Sequence, residues 1–557
     1  MVFPEGRGKN WNLKLHSLYT SQPTIEIEGD VKFSQYNPFN KPKSQLNKRE
    51  ISSILATVFS SREGGVIVIA IHKDDAVAIA QHIYDLLPPA GSISPEVELV
   101  RRYIASEFGT EYQLYKFLEK GVAFHHAGVS QELRYLLEWL MSKDHLNVMV
   151  ATTTLAQGVN FPISSIVIND YKVGTPPEKM TQDEFWNIAG RAGRADQDTL
   201  GIVAFSSKND NYNEIEEYVT DQVSELVSHL ETLVLKASER SRDLNLKDLV
   251  KNDPEWSNFV QYLCHAYRQI DDHSRFIAET ETIVKATYGY QRIKKADPGL
   301  AKAMVTATIE YAEEIRNIDK QTLSLVDETG FSPDSIRNLR QGVREIRVTL
   351  NDLSASGIFN TENKMLSQLM GKLLNINELA IKTENGKIQG NHLAEVLSKW
   401  VKGEKIADIA HLKLFENQDR DKAVNDCIIA LNNLITYSSW GLGAIESLTI
   451  KKEEIERLSK REQYEIRSVP AMVYFGVDTL EGVVMRNIGV PRSIAKQMGE
   501  SFKQSTGDNI PTITKARTWI KSQDSELWNS CAPHGSILSG GEYRKIWEIS
   551  NGEYRVG

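Results

Sequence analysis

Between residues 51 and 208, unbroken apolar runs alternate with amphipathic stretches. GGVIVIAI (Gly64–Ile71), VAFHH, NVMVAT, SSIVIND and LGIVAF read as strands buried on both faces, because they are continuously apolar. DDAVAIAQHIYDLL, SQELRYLLEWLMS and TQDEFWNIAGRAG repeat their apolar residues at three and four positions, which predicts helices. Strand and helix in alternation predict an α/β fold with a parallel sheet covered on both faces. Crossovers of this kind are right-handed, and ligands of such sheets gather at the carboxyl ends of the strands. Chemistry is therefore expected in the loops after VAFHH and NVMVAT and at the helix FWNIAGRAGR.

The flanks have a different texture. Residues 1–50 carry Gly, Pro, Asn and Lys clusters and one alternating run, PTIEIEGDVKF, so they read as a connector with one strand. EGRGKN within it lacks the GxxxxGK-Ser/Thr spacing and a preceding apolar strand, so it is not a phosphate loop. Beyond residue 209 the pattern turns helical, with Ile215, Val219, Val223, Leu226, Leu230 and Leu233 spaced by three and four. Breaks at DPEW, ADPG and GFSP interrupt a helical domain expected over 209–385. A second helical domain is expected over 386–470, and a hairpin-like helical unit over 471–557, where HGSILSGG reads as loop. No internal repeat or low-complexity tract is evident.

Composition narrows the class only a little. Hydrophobic residues make up 41% and charged residues 25% of 557, as in ordinary globular proteins. No apolar run is long enough to span a bilayer and the N-terminus lacks a signal-peptide core, so no membrane partner is expected and a cytoplasmic location is. Cys264, Cys427 and Cys531 are odd in number and far apart, which excludes a disulfide framework; with no CxxC, no metal site is expected, even with His534 near Cys531. The net charge of −9 is unusual for a nucleic-acid binder, but phosphate binding depends on local patches and oriented amides rather than on the total.

Three segments carry candidate chemistry. In FWNIAGRAGR, Arg191 and Arg194 stand three apart on one face of a helix end, beside Gly190 and Gly193. Guanidinium forks suit phosphate oxygens and a transferring phosphoryl group, and the glycines let another domain approach; the same arginines could instead cap their own helix. In ATTTLAQGVNFP, Thr152 and Thr153 offer hydroxyls and amides at the end of a strand, Gly158 permits close approach, and Asn160 can bond a ribose or a neighbouring loop. A Thr-rich helix cap would look alike. In HHAGVSQELR, His125, His126 and Gly128 form a polar turn before a helix, although one histidine could be simply packed.

The order and spacing of these segments resemble the superfamily 2 helicases, and within them the Ski2-like group. The match runs almost without gap from Gly121 to Arg194, and GGVIVIAI fits the motif before it. The resemblance implies the second RecA-like lobe of a two-lobe motor, followed by mainly α-helical domains. It implies that Arg191 and Arg194 reach the ATP γ-phosphate across the cleft between lobes. Thr152, with Thr153 beside it, would touch the nucleic-acid phosphate backbone, Gly158 and Asn160 would couple nucleotide to strand, and His126 and Gly128 would form the strand-facing turn. Gly190 completes the nucleotide-binding set. Where the family places Gln, this chain has Asn187, whose shorter amide reaches less far. LSKWVKGEKIADIA, with Trp400 and Gly403, resembles the C-terminal helical domain of the same group. The hairpin at Gly489-Val490-Pro491, with Arg492 at a helix start, could hold a phosphate as helix-hairpin-helix modules do, or simply pack.

A phosphate loop and an Asp-Glu pair for Mg²⁺ are absent from the sequence given. The expectation is the C-terminal half of an ATP-dependent helicase, inactive alone, with ATP and Mg²⁺ held mainly by a first lobe in the same or another chain. Its other partner would be single-stranded or partly duplex nucleic acid. The rival is a non-catalytic nucleic-acid-binding or scaffolding protein that keeps the lobe fold.

Overall fold

The computed structural model describes residues 2–554 except 8–9, 16–44, 62–63, 90, 153–162, 174–177, 181, 194–200, 207–228, 241–243, 254, 271, 361–363, 380, 382–387 and 416–418. The chain divides into two units, Met1–Ser224 with Lys405–Ile429 and Gln523–Gly557, and Glu225–Glu404 with Ala430–Ser522. The boundaries expected near 385 and 470 are not those of the units, and the segment 471–557 is divided between them.

The first unit is built on a sheet of β1 (Val2–Arg7), β2 (Asn10–Leu15), β3 (Gly65–Ala70), β4 (Val122–His125), β5 (Val148–Thr152), β6 (Ile163–Ile168) and β9 (Ile202–Phe205), with β7 (Lys172–Val173) and β8 (Glu178–Lys179) as a separate small ribbon. The order is β2-β1-β9-β6-β3-β5-β4. From β9 to β4 every pairing is parallel, as the alternating pattern predicts. All of β3, β4, β5, β6 and β9 is buried, which is why these runs carry no polar alternation.

Helices cover the faces: α1 (Lys48–Phe59), α2 (Lys73–Leu86), α3 (Pro95–Glu107), α4 (Gln131–Ser142) and α5 (Gln182–Ala189). α2 buries Ala76, Ile79, Ala80 and Ile83, and α4 buries Leu133, Leu136, Leu137 and Leu140, both with the predicted three–four spacing. α1 and α3 were not predicted, although both carry start signals. Asn47 and Glu50 form a capping box on α1, and Ser94 with Pro95 opens α3. The connector contains a hairpin, β1–β2, joined in parallel to β9 at Val2↔Ala204. Its signal was the alternation in NWNLKL; the run expected as a strand, PTIEIEGDVKF, lies outside the described residues.

Two C-terminal helices, Ser525–Cys531 and Gly540–Ser550, belong to this first unit. Glu542 pairs with Arg102 of α3 at 2.8 Å, and Tyr554 meets the edge of Trp139 of α4 at 5.5 Å between ring centres.

The described part of the second unit is helical, as expected. Four of its helices matter below: α6 (Pro333–Ile346), α7 (Gly390–Val401), α8 (Leu480–Asn487) and α9 (Arg492–Thr506). Trp400, near the end of α7, is buried and its indole N–H donates to the Val473 carbonyl at 2.8 Å. The Arg492 guanidinium lies 4.2 Å from the Trp400 ring centre and donates to the carbonyls of Trp400, at 2.8 Å, and Glu404. A cation is thus seated on the carbonyl end of α7, where the helix dipole favours it. Arg492 is 5% exposed, so the phosphate role considered for the hairpin is corrected: its donors serve backbone carbonyls inside the unit.

All three cysteines are buried and unpaired with one another, and burial pushes the Cys264 thiol up to about 12, so it stays protonated at neutral pH. Among the described residues no helix is long and apolar enough to cross a membrane.

Because Trp400 and Arg492 act as one contact, replacing either should cost about 1–3 kcal/mol in urea denaturation of the second unit. The double variant Trp400→Phe/Arg492→Ala should cost less than the sum of the single variants. Strict additivity would show that the ring and the guanidinium do not stabilise each other.

Candidate nucleotide and nucleic-acid interface

Register brings two of the predicted segments together. β4 and β5 pair in parallel with His125 opposite Ala151, so His126 and Thr152 follow at the same carboxyl edge of the sheet. Thr152 is 8% exposed and ends β5. After His126 the chain turns tightly, with the Val129 amide donating to the His126 carbonyl at 2.9 Å, and Ser130 caps α4.

His126 lies beneath this turn rather than on its surface. It is 2% exposed and stacks on Phe124, with ring centres 5.3 Å apart and planes 8° from parallel. Its Nδ1 accepts the Gly128 amide at 3.1 Å, so the imidazole is neutral with its proton on Nε2, and Nε2 is buried without a hydrogen-bond partner among the described residues. Burial first, then the nearby charges of Lys73, His125 and Arg134, lower its pKa to about 4. Gly128 is required here, since a Cβ would stand 2.9 Å from His126 Nδ1 and from Ile429 Cγ1. His125 is fixed separately by Glu138, 2.8 Å from its Nε2.

The arginine segment sits elsewhere. α5 ends at Ala189, and Arg191 and Ala192 continue as a turn whose amides donate to Ile188 and Ala189, each at 3.1 Å. The Gly193 amide then donates to the carbonyl of Ile163 at 2.9 Å, and Ala192 bridges the same residue in parallel. Ile163 is the first residue of β6, so Gly190 and Arg191 stand at the amino edge of the sheet. The expectation that all the chemistry lies at the carboxyl ends is corrected on this point. A crossover helix runs antiparallel to its strands, so its last turn returns to the strands' beginnings.

Arg191 is half-buried, and its Nε donates to the Asn187 carbonyl one turn back at 3.2 Å. Asn187 and Trp186 are exposed, with Trp186 43% accessible. Gly201, just before β9, was not singled out from the sequence. A Cβ there would lie 2.3 Å from the Ala192 carbonyl oxygen, so only glycine lets β9 enter beside the arginine turn. Its signal was a glycine immediately before an apolar strand. Thr153, Gly158, Asn160 and Arg194 lie outside the described residues.

A guanidinium beside Gly190 at an edge of the lobe suits the phosphates of ATP. Among the described residues no group of three or more His, Cys, Asp or Glu is placed to hold a metal ion.

Comparison with known proteins agrees with this frame. Residues 98–196 match the model of the helicase conserved C-terminal domain. The chain is 35% identical over 100 residues to the Hachiman protein HamB of Bacillus cereus, covering 18% of this chain and 9% of that protein. It is 28% identical over 328 residues to the ATP-dependent DNA helicase Hel308 of Methanocella arvoryzae, covering 53% and 43%. It is 36% identical over 94 residues to the antiviral helicase SKI2 of Saccharomyces cerevisiae, covering 16% and 7%. In each case less than half of the relative is spanned.

The buried neutral His126 sets a pH dependence. Its pKa falls from 6.5 in the unfolded chain to about 4 in the fold, so the unfolded state binds the extra proton. Its contribution is complete above pH 6.5 and is lost as pH falls toward 4, on the order of 3 kcal/mol across that window. Urea denaturation from pH 7 to pH 4 should show a shallower decline for His126→Gln than for the wild type. Superimposable pH profiles would mean that His126 is not held neutral by the fold.

Proposed function

From a lobe that is the C-terminal portion of a Ski2-like superfamily 2 helicase, we propose that this chain grips a nucleic-acid strand and completes the ATP site of a two-lobe translocase. A first lobe, in the same or another chain, supplies the phosphate loop and the carboxylates for Mg²⁺ in this reading. Bound there, ATP with Mg²⁺ supplies the phosphoryl group whose loss drives the cycle. Arg191 and Arg194 place planar donors against the γ-phosphate, where charge spreads as the bond to the leaving group breaks. Gly190 leaves room for the nucleotide to approach.

Thr152 and Thr153 donate to the phosphate backbone, and the turn at Gly128, braced from below by His126, faces the same strand. These contacts carry no sequence preference, as translocation requires.

One observation supports the coupling role of Gly158 and Asn160. Their segment leaves the carboxyl edge of the sheet at Thr152 and re-enters at Ile163, whose carbonyl accepts the amide of Gly193, two residues from Arg191. A strand pulling at one end therefore acts on the same short connection that holds the arginine turn at the other.

The test is reconstitution. The chain alone should not hydrolyse ATP. With a first lobe supplied, hydrolysis should appear and rise with single-stranded nucleic acid. Arg191→Ala or Arg194→Ala should then lower kcat by about 10³-fold or more while strand affinity changes little. Gly201→Ala, which pushes on the Ala192 carbonyl, should lower kcat in the same direction without changing strand affinity. Unchanged turnover in the arginine variants, or no turnover with any supplied lobe, would favour the non-catalytic binding protein.

A further inference from the structure

Helix α6 in the second unit carries an arginine stripe that the proposed motor chemistry does not use. Arg337, Arg340 and Arg344 lie on the helix and Arg347 is its C-cap residue. At 3.6 residues per turn the four fall within an arc of roughly 80° and extend over about 15 Å of helix. The core face lies roughly 90° round the helix from the stripe's centre, with Ile336, Leu339 and Val343 buried. The two acidic residues of the helix, Asp334 and Glu345, lie to the side of the stripe.

These carboxylates and that of Asp319 neutralise only part of the stripe. Arg337 pairs with Asp334 at 2.5 Å, and Arg340 stands 3.8 Å from Asp319. Glu345 is engaged by Lys372 at 2.5 Å. Arg344 and Arg347 are exposed, and among the described residues neither side chain has an ion-pair or hydrogen-bond partner. One nitrogen of Arg340, Nη2, is buried without an acceptor among the described residues. Arg347 also holds a left-handed backbone, φ 60°, at a helix end where glycine would be less strained.

We propose that this stripe is a contact for a phosphodiester backbone, separate from the Thr152 edge of the first unit. Charge complementarity selects this occupant: four guanidinium groups share one face of a chain whose net charge is −9. All four are arginine, the side chain whose fork bonds two phosphate oxygens at once. The stripe's length spans about four nucleotides at 3.4 Å each along one strand. The inference rests on the reading that this chain binds nucleic acid.

The experiment uses the full chain and a fluorescein-labelled 20-nucleotide single strand, with anisotropy followed from about 50 to 200 mM salt. Arg344→Ala/Arg347→Ala should weaken binding about tenfold and flatten the plot of log affinity against log salt by about 1.4, two phosphate contacts' worth. Arg344→Lys/Arg347→Lys should keep most of the slope, and a thermal melt should match the wild type for both. Wild-type slope and affinity in the alanine pair would overturn the stripe while leaving the Thr152 reading intact. No salt-dependent strand binding by the wild type would overturn both. Binding to phosphatidylserine vesicles in place of strands would assign the stripe to a membrane surface and overturn it as a strand contact.

Discussion

The lobe depends on one hydrogen bond placed where two edges of the sheet are linked. Parallel strands start at one edge and finish at the other, so a connection between strands consecutive in the chain must cross the whole sheet. β5 ends at Thr152 at one edge and β6 begins at Ile163 at the other, where the Gly193 amide is fastened to the Ile163 carbonyl. This bond and the Ala192 bridge to the same residue set the turn carrying Arg191 against the start of β6. The close passage of Gly201 past the Ala192 carbonyl closes the same corner from the other side.

The parallel core was legible because strands buried on both faces have no choice but to be apolar, and each of the five runs named from the sequence is a strand. What the pattern could not convey was the direction in which a helix delivers its last turn. The rule that ligands gather at the carboxyl ends of strands places FWNIAGRAGR with the strand-end loops, yet the crossover carries its last turn to the opposite edge. His126 was legible as part of a polar turn, but its depth was not. The stack on Phe124 and the bond from Gly128 turn a residue that reads as a surface donor into a buried acceptor. Trp400 and Arg492 stand 92 positions apart, and nothing local in either segment announces the other. The hairpin had looked suited to phosphate because Arg492 opens a helix. The carbonyl end of α7 offers that cation a partner within the unit.

The two arginine sets illustrate how burial decides use. Arg492 and Arg101 are enclosed, the second between Glu98 and Glu119, and their donors are spent on the chain itself. Arg344 and Arg347 face solvent. An acidic total of −9 therefore says little about where the chain is positive.

The return of the C-terminal helices to the first unit has a consequence for synthesis. Trp528, Tyr543 and Trp547 are buried in that unit, yet they are translated roughly 300 residues after the lobe's own strands. At about 5–20 residues per second, the lobe waits on the order of 15–60 s with part of its outer apolar surface uncovered. A ribosome that stops early leaves an unfinished lobe rather than a shortened tail, and such a product is a natural client for chaperones and proteases.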